Sequence, residues 1–336
     1  MENVGQTSNR GVELSLTGYI MDRPDFTLNA TFNIGRNKNK IDKLASGEKE
    51  MVLSSGWAGS QLLNSDDYRA YVGGTTGLIY GFVNDGFYTV DDFKPFDSKS
   101  RTWTLKDGVV NSSPLSGDPR PGNAKFKKLT PVDENSANPY TLTDDDRTVI
   151  GNTTPKFSGG FGLNATFKGF DVSAFFNFMY DFDVFNANKV MMTTWASNNY
   201  NNFSMDISAA KRWRNFDDMG NEIRYSPEIL AEFNKNATMW NPTSIGRPIA
   251  MSYAVEDGSF LRLNTATIGY TLPRAWTNKV GLSRVRFYAS GYNLFTITGY
   301  SGYDPEVDIA TGLTPNIDNN RYPRSRTYTF GVQLTF

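Results

Sequence analysis

Hydrophobic and polar residues alternate in several segments of about ten residues along this chain. In the segment 26–34 the polar positions are all threonine or asparagine, and the apolar positions are Phe26, Leu28, Ala30, Phe32 and Ile34. The same period of two recurs at 12–20, 157–167, 170–180, 285–291 and 327–336. Because side chains of a β-strand point alternately to opposite faces, each segment is predicted to be a strand with one apolar and one polar face.

The length of the predicted strands favours a membrane protein. Ten residues at roughly 3.3 Å each span about 33 Å, or about 23 Å along the membrane normal at a tilt near 45°. The apolar band of an outer-membrane barrel is about 25 Å tall, whereas strands of soluble proteins more often contain about five or six residues. The pattern therefore predicts an all-β fold, an antiparallel transmembrane β-barrel segment, with a soluble β-sandwich as the alternative.

Short and long connections alternate between these strands. The first two are joined by the polar turn MDRPD, and the strands at 157–167 and 170–180 are joined by Lys168-Gly169, a hairpin signal. Long polar loops are predicted near 37–75, 91–156, 183–259 and 297–322. Outer-membrane barrels have short periplasmic turns and longer extracellular loops, so we expect the long loops on the extracellular side.

Strand direction restricts the number of strands between 26–34 and 157–167. If both short turns are periplasmic, the first of these strands runs outward and the second runs inward, so an even number of strands lies between them. The stretch LIYGFVNDGFYTV, with Asn84-Asp85-Gly86 as its turn, is predicted to supply two. The predicted total is then about nine strands.

One segment, FLRLNTATIGYTLP, changes phase along its length. Leu261 and Leu263 lie on one face of the predicted strand, while Ile268 and Tyr270 lie on the other. A β-bulge near Asn264 would produce this change, and so would a strand that lies half outside the lipid. The sequence is compatible with both explanations.

Composition excludes several kinds of chemistry. The 336 residues include no histidine and no cysteine, which rules out a Ser-His-Asp triad, a thiol nucleophile, a disulfide and any histidine or thiolate metal ligand. We expect no enzyme activity, the alternative being an outer-membrane hydrolase that does not use histidine. Lysine and arginine number 34 against 35 aspartate and glutamate, a balance that argues against a nucleic-acid partner.

Four long stretches resemble one family, the SusC/RagA-type TonB-dependent outer-membrane transporters of Bacteroidetes. They are RTVIGNTTPKFSGGFGLNATFKGFDVSAFFNFMYDFDVFN at 147–186, DGSFLRLNTATIGYTLPRAW at 257–276, RVRFYASGYNLFTITGYSGYDPEVD at 284–308 and RYPRSRTYTFGVQLTF at 321–336. The resemblance implies that residues 1–336 are the C-terminal part of a 22-stranded barrel, with the plug domain absent from this chain. The opening residues MENVGQTSNR carry no secretory signal, which also favours a fragment.

The resemblance further implies a function. Such transporters import oligosaccharides or peptides too large for a porin, and TonB drives them through a plug, here in the missing N-terminal part. A SusD-like surface lipoprotein closes over the barrel as a lid. We therefore expect part of an active importer in the bacterial outer membrane, in contact with outer-membrane lipid and lipopolysaccharide, with a glycan or peptide as substrate and a slight preference for glycan. A SusC-like barrel that serves as a structural scaffold in a larger complex is the alternative.

The asparagine-rich loop 183–259 supplies candidates for ligand binding or lid contact: Trp195, Tyr200, Trp213 and Trp240. Exposed rings could stack on sugars while amides bind hydroxyl groups; alternatively, the rings fix the loop itself or lie at the lipid interface. The run KRWRN at 211–215 could bind an acidic ligand or a lipopolysaccharide phosphate through Arg212 and Arg214, or it is a solvated loop.

A cation site is a further hypothesis. Members of the family often carry a calcium-loop-like run before the segment that reads DRTVIG here, and this chain has VDENSANPYTLTDDDR. Asp133 and Asn135 fit that pattern, but Ala137 and Asn138 stand where aspartate and glycine are needed. Calcium binding by Asp133, Asn135 and Asp144 is one interpretation and a solvated acidic loop is the other. No other cofactor is expected.

The last segment, TYTFGVQLTF, alternates cleanly and ends in an aromatic residue. Its apolar face is predicted to contact lipid, with Phe336 at the periplasmic end of the last strand. The resemblance implies that Tyr328, Phe330 and Phe336 belong to the signal that the barrel-assembly machinery reads.

Overall fold

The computed structural model of this protein describes residues 5–64, 66–194, 203–307 and 312–336. These residues form sixteen strands: β1 (Gly5–Arg23), β2 (Phe26–Leu44), β3 (Glu50–Leu53), β4 (Tyr68–Tyr71), β5 (Leu78–Gly81), β6 (Asn84–Phe87), β7 (Ala124–Phe126), β8 (Thr148–Asn152), β9 (Phe157–Phe167), β10 (Phe170–Tyr180), β11 (Asp183–Asn186), β12 (Val255–Asp257), β13 (Phe260–Thr271), β14 (Arg284–Thr298), β15 (Ile317–Asp318) and β16 (Thr327–Thr335).

The helices in the same ranges are short: α1 (Ser113–Ser116), α2 (Ala187–Met191), α3 (Pro227–Phe233) and α4 (Arg274–Thr277). Single 3₁₀ turns lie at Ala45–Gly47, Gly59–Gln61, Val90–Asp92, Asp144–Asp146, Met205–Ile207, Pro242–Ser244, Ser252–Ala254 and Asn278–Val280. None of the helices in the described part of the chain has the length and apolar character needed to cross a membrane.

Seven strands form one large antiparallel sheet in the order β1-β2-β9-β10-β13-β14-β16. Strands that are neighbours in this sheet also follow one another along the chain when only strands of this sheet are counted. The sheet is therefore an up-and-down meander. The prediction of an all-β antiparallel fold is confirmed. Within the described residues the large sheet has seven strands rather than about nine, because β2 pairs directly with β9.

The predicted extra hairpin at 78–90 lies elsewhere. Its first strand, β5, pairs with β4 and β8, and its second, β6, pairs with β7. All four residues of β5 are buried. Its apolar side chains therefore pack into a protein core on both faces of the strand, whereas a barrel strand would expose one apolar face to lipid. No strand of the large sheet lies between β2 and β9. Zero is an even number, so the expected strand directions still hold.

The two short turns have the form that the sequence predicts. Arg23 pairs with Phe26, which leaves Pro24 and Asp25 to turn the chain. Lys168 and Gly169 have φ angles of 45° and 89°, and two successive residues with positive φ make the hairpin turn that matches strand twist.

Strand register collects apolar side chains on one face of the large sheet. One row crosses all seven strands through Met21, Leu28, Ala165, Val172, Ile268, Ala289 and Phe330. The adjacent row on the opposite face consists of Tyr19, Asn29, Asn164, Ser173, Thr267, Ser290 and Thr329. Many of the apolar side chains are exposed, Phe330 by 79% and Ile268 by 52%. A broad apolar face beside a polar one is the arrangement of a membrane barrel wall.

A bulge explains the phase change in β13. Phe175 pairs with Thr265 and Phe176 pairs with Leu263, so Asn264 is an extra residue without a partner in β10. The register of β13 with β14 shifts at the same place. Of the two explanations open from the sequence, the bulge near Asn264 is confirmed, and it brings the apolar residues on both sides of it onto one face.

An ion pair spans three strands on the polar face. Arg286 of β14 reaches across β13 to Asp171 of β10: its Nε lies 2.8 Å from Oδ1, and its Nη2 donates to Oδ2. Gly269 lies beneath this contact, and a Cβ there would lie 2.5 Å from Nη2 of Arg286 and 2.6 Å from Oδ1 of Asp171. The arginine can cross the strand only because this position has no side chain.

Replacing Gly269 with alanine is expected to separate this pair and to lower stability by about 1–3 kcal/mol, because a bidentate charged hydrogen bond is lost. The measurement is the temperature at which the folded, heat-modifiable band disappears on a gel. Gly18→Ala is the matched control, since Gly18 lies in β1 of the same sheet with no heavy atom within 4 Å of its added Cβ. Equal shifts for both variants would contradict the prediction.

Two aromatic rings on the polar face lie over glycines. A Cβ added to Gly160 would lie 2.9 Å from Cζ of Phe175, and one added to Gly331 would lie 2.4 Å from Cζ of Tyr288. Each ring therefore occupies the space that a neighbouring side chain would otherwise fill, so it lies flat against the sheet.

The long connections pack together into a second unit, which we term the loop domain: the described residues of 45–156, 181–259 and 299–326. Its core contains residues from all three connections, among them Tyr68, Ile79, Phe126, Phe185, Trp240, Ile249, Met251 and Ile317. The connection predicted to begin at 37 begins after Leu44, because β2 continues that far. The loop domain is therefore a folded body with its own core.

Candidate ligand-binding groove

The structure gives the predicted aromatic residues a different role. Trp213 and Trp240 are only 3% and 2% exposed. Trp240 packs edge-on against Tyr253 with ring centroids 4.8 Å apart, and Trp213 covers Gly122, whose added Cβ would lie 2.1 Å from the indole Cδ1. The expected exposed position of these two rings is corrected: both are buried in the loop domain and pack within it, which is the alternative in which the rings fix the loop itself. Trp213 also lines a cavity, described below. Trp195 and Tyr200 lie outside the described residues.

The arginines of the KRWRN run make contacts within the loop domain. Nη1 of Arg212 donates to the carbonyl oxygen of Ile207 at 2.9 Å. Nη1 of Arg214 donates to Asp218 Oδ1 at 2.8 Å, and its guanidinium lies 4.4 Å from the ring centroid of Phe233. Both side chains are half-buried and also line a cavity of about 750 Å³. They shape this cavity rather than project freely from a solvated loop.

A second cavity, of about 720 Å³, lies beside the first and has a mostly polar lining. Three of its lining residues are arginines, Arg101, Arg120 and Arg224, and one is an acidic residue, Asp118. Both cavities are lined by Asn215, Arg224, Asn241 and Thr243. We term the two cavities together the groove. The sequence indicated Arg212, Trp213 and Arg214 of the first cavity as candidate ligand contacts, whereas the arginines of the second cavity were not predicted.

Aromatic contacts hold the arginine side of the groove in place. The guanidinium of Arg101 lies 5.3 Å from the ring centroid of Tyr225, and that of Arg224 lies 5.7 Å from the same ring. Trp103 donates from Nε1 to the carbonyl oxygen of Arg224 at 3.3 Å and packs on Phe96 with ring centroids 4.8 Å apart. Arg224 also pairs with a carboxylate outside the groove lining, that of Glu222. Arg101 and Arg120 are exposed and make no ion pair with a described carboxylate.

Hydrogen bonds fix the turn that carries Arg120. The side-chain amide of Asn123 donates to the carbonyl oxygens of Ser116 at 3.1 Å and Asp118 at 3.0 Å. Below the turn, the Tyr88 hydroxyl donates to Val110 O and accepts from the backbone N–H of Ser112. Burial raises the pKa of Tyr88, so its hydroxyl stays protonated and available for both contacts.

The donor set of the groove suits a polar ligand. Guanidinium groups bind carboxylates, sulfates and phosphates through paired N–H groups, and the amides of Asn215 and Asn241 can bind hydroxyl or peptide groups. The three arginines are far apart in the sequence and belong to no motif, so only the fold reveals that they are neighbours. These side chains are suited to binding a polar or anionic ligand.

The acidic residues proposed for calcium make other contacts. Oδ1 of Asp133 accepts from the backbone N–H of Asn135 at 3.0 Å, and Asp144 accepts from Nδ2 of Asn64 at 2.8 Å and pairs with Arg147. Among the residues described, no cluster of three or more acidic side chains that could hold a metal ion is found. Calcium binding by these residues remains an untested prediction.

A neighbouring carboxylate, that of Asp146, organises this acidic segment. Burial alone would raise its pKa, but hydrogen bonds from the backbone of Thr130, Thr143 and Leu129 and from the Thr130 hydroxyl lower the pKa to about 2. The carboxylate is also paired with Lys128 at 3.3 Å. Part of the run of aspartates therefore has a structural role.

The aromatic residues proposed as an assembly signal lie at the surface. Tyr328 and Phe330 project from β16 and are 63% and 79% exposed, and Phe336, just after the strand, is 89% exposed. β16 pairs with β14 on one side, and no other described strand pairs with it. These positions suit contact with lipid, and recognition by the assembly machinery remains a prediction.

Comparison with known proteins agrees with this fold. No protein-family model matches the sequence. Over its full length the chain is 30% identical to TonB-dependent receptor P3 of Formosa agariphila, of which it covers 29%, and 24% identical to TonB-dependent receptor SusC of Bacteroides thetaiotaomicron, of which it covers 27%. The whole chain also superposes on 29% of a chain in the RagAB peptide importer in its open-open state, with a TM-score of 0.66 and 24% identity.

These proteins carry the names of receptors and transporters, and none of these names is that of an enzyme. The chain spans less than a third of the length of each of them. The similarity covers the large sheet and the loop domain alike, because all residues of the chain are included. The chain is therefore similar to TonB-dependent receptors over its whole length, and its large sheet has the fold of a segment of a transporter β-barrel wall.

Proposed function

We propose that this chain is part of an active importer that carries an oligomeric nutrient across the bacterial outer membrane. The observation that carries the proposal is the full-length similarity to TonB-dependent receptors. The exposed apolar face of the large sheet supports the membrane placement, because exposed rows of this extent suit contact with lipid. The loop domain then lies on the extracellular side, at the end of the strands away from the short turns.

The partners that go with this function are a SusD-like surface lipoprotein that acts as a lid on the loop domain, and TonB, which acts through a part of the transporter outside this chain. The similarity to SusC and to the RagAB importer supports the lipoprotein partner. The substrate is an oligosaccharide or a peptide. The preference for glycan depends on four aromatic residues expected to be exposed in the loop 183–259. Two of them, Trp213 and Trp240, are buried, which weakens that preference.

The groove supplies the ligand contacts in this proposal. Arg101 and Arg120 are exposed in a polar cavity that the amides of Asn215 and Asn241 also line. This set of donors suits hydroxyl, carbonyl and carboxylate groups, which oligosaccharides and peptides both present. The aromatic ring of Tyr225 beneath Arg101 fixes the guanidinium and so limits the entropy lost when a ligand binds.

The double substitution Arg101→Gln/Arg120→Gln should weaken substrate binding by about tenfold or more, because a charged hydrogen bond contributes about 1.5–3 kcal/mol. The assay uses the complete transporter in a strain that lacks its own copy. Uptake is measured for the glycans or peptides on which the deletion strain fails to grow. The control Lys94→Gln/Lys106→Gln removes two exposed loop charges that do not line the groove and should leave uptake unchanged.

Two results would count against these statements. Normal uptake in the Arg101→Gln/Arg120→Gln variant would remove the groove from the import path but leave the importer itself. Normal growth of the deletion strain on every glycan and peptide tested would instead favour a structural scaffold over an importer.

A further inference from the structure

The first two strands of the large sheet are longer than the apolar face requires. β1 and β2 contain 19 residues each, whereas β9 and β10 contain 11 each. The additional residues extend β1 and β2 at the end that leads into the loop domain. On β2 the apolar positions end at Phe32 and Ile34, and the next alternate positions are Arg36, Lys38 and Lys40.

The register of β1 adds a fourth cation to the same face. Val12 pairs with Arg36, Arg10 with Lys38 and Ser8 with Lys40. Because paired residues of neighbouring strands lie on the same face of a sheet, all four cations continue the apolar face formed by Leu14, Leu16, Phe32 and Ile34. We term Arg10, Arg36, Lys38 and Lys40 the basic patch, and all four are exposed.

The opposite face of the same extension contacts the loop domain. Ile41 is 2% exposed, and its backbone N–H donates to the carbonyl oxygen of Gly74 at 2.8 Å. Oδ1 of Asn39 accepts from the backbone N–H of Thr76 at 3.4 Å. Since Asn39 and Ile41 alternate with Lys38 and Lys40, the loop domain covers the inner side of this extension and the basic patch faces outward.

Aromatic residues indicate the depth at which the basic patch begins. Phe157 of β9 pairs with Tyr180 of β10, which is 57% exposed, and Arg36 lies 5.8 Å from the centroid of the Phe157 ring. Aromatic girdles mark the membrane interface in outer-membrane barrels. Lys38 and Lys40 lie two and four residues further on, about 5 and 9 Å higher along the normal at a tilt near 45°. The polar head-group region is about 5–8 Å thick on each side of a bilayer.

The charges of the basic patch are largely uncompensated. The exposed Lys40 lies 3.9 Å from the half-buried Asp42, a long contact. Arg10, Arg36 and Lys38 make no ion pair with any carboxylate in the described ranges. Four cations therefore face outward at the edge of an apolar surface, with one distant carboxylate beside them.

We propose that the basic patch binds phosphate groups of lipid head groups in the membrane leaflet on the loop-domain side. The inference rests on the membrane placement proposed above, since the apolar face sets the depth of the four cations. Arg10 and Arg36 can bind a phosphate through two N–H groups each, while Lys38 and Lys40 add point charges. This contact holds lipid against the outer wall of the sheet, on the side away from the groove.

The test measures lipid binding to the complete transporter in detergent. The probes are a phosphorylated outer-leaflet glycolipid, the same lipid with its phosphates removed, and inorganic phosphate. The variant Arg36→Gln/Lys38→Gln should bind the phosphorylated lipid about 30-fold more weakly, because each cation near an anionic surface contributes about fivefold. The dephosphorylated lipid should bind the unmodified protein and the variant equally, and inorganic phosphate should compete only weakly.

Matched controls keep the outcomes separate. Lys94→Gln/Lys106→Gln removes the same charge from exposed loop positions and should leave lipid binding unchanged. The presence of each protein in the outer-membrane fraction and its substrate uptake are measured in parallel, so that failed insertion or failed import is seen independently of lipid binding. Equal binding by Arg36→Gln/Lys38→Gln and the unmodified protein would overturn the proposal. So would full competition by inorganic phosphate, which would indicate a soluble anion as the ligand.

Discussion

Arg262→Met should open the segment 299–307 of the loop domain by about 3–5 kcal/mol, the cost of leaving buried carboxylates without their cation. The Arg262 side chain is 1% exposed, and its guanidinium contacts Asp304 and Glu306, which are 10% and 9% exposed. Methionine retains most of the apolar contact of the arginine stem but supplies no charge. Hydrogen exchange of the backbone amides of 299–307 is the measurement, and faster exchange is expected.

The pH dependence provides a sharper test of the same contact. Burial raises the pKa of Glu306 even though Arg324 and Arg262 lower it. A carboxyl group whose pKa is raised by folding stabilises the fold fully below its unfolded pKa, and this contribution is lost as pH rises through the folded value. Removal of Arg262 raises the pKa of Glu306 further. Arg262→Met should therefore regain protection as the pH is lowered from 7 toward 5.

A second substitution isolates the charge. In Arg262→Met/Glu306→Gln one of the two carboxylates that lose Arg262 is replaced by a neutral amide, so part of the lost protection should return at pH 7. The other cation beside position 306, Arg324, is unchanged. Protection is taken as the exchange rate relative to that of an unstructured peptide at the same pH. Equal protection at pH 5 and pH 7 in the single variant would show that the cation is not what holds this segment.

Gly122→Val should unfold the part of the loop domain around Trp213, at a cost of about 3 kcal/mol or more from backbone strain and overpacking together. Gly122 has a φ of 87°, and an added Cβ would lie 2.1 Å from the indole Cδ1 of Trp213. Limited proteolysis of the folded protein is the measurement, with cleavage expected within 203–259.

The matched control separates the two costs. Gly220 has a φ of 84°, but no heavy atom lies within 4 Å of its added Cβ. Gly220→Val therefore introduces similar strain without a clash, and it should cost only the strain of about 1–2 kcal/mol. If the two variants are cleaved at the same rate, the packing of Trp213 on Gly122 contributes nothing to the loop domain.

The sequence predicts the large sheet well because the signal there is local. At 26–34 and 170–180 one face of the strand is apolar and the other is mostly polar, and that contrast is present within ten residues. The segment 78–90 shows a similar apolar content, yet β5 is buried on both faces. A short apolar run does not reveal whether it packs into a protein core or forms one face of a barrel strand. For this reason the predicted number of strands in the large sheet is too high.

The second cavity of the groove could not be predicted for a different reason. Arg101, Arg120 and Arg224 belong to separate segments, and only the packing of the loop domain brings them together. The opposite error affected Trp213 and Trp240, which were expected at the surface because their surroundings are rich in polar residues. A connection of this length builds its own core, and the largest apolar side chains fill it.

In the importer proposed above, the flat rings of Phe175 and Tyr288 would affect how freely a substrate can travel. Lying over Gly160 and Gly331, each ring projects from the wall by about one atomic thickness, roughly 3.5–4 Å, instead of standing upright. A sugar or peptide that moved along the polar face would meet the flat side of each ring rather than its edge. A low ring takes up less of the passage than an upright one, so these two positions would leave more clearance for a bulky substrate.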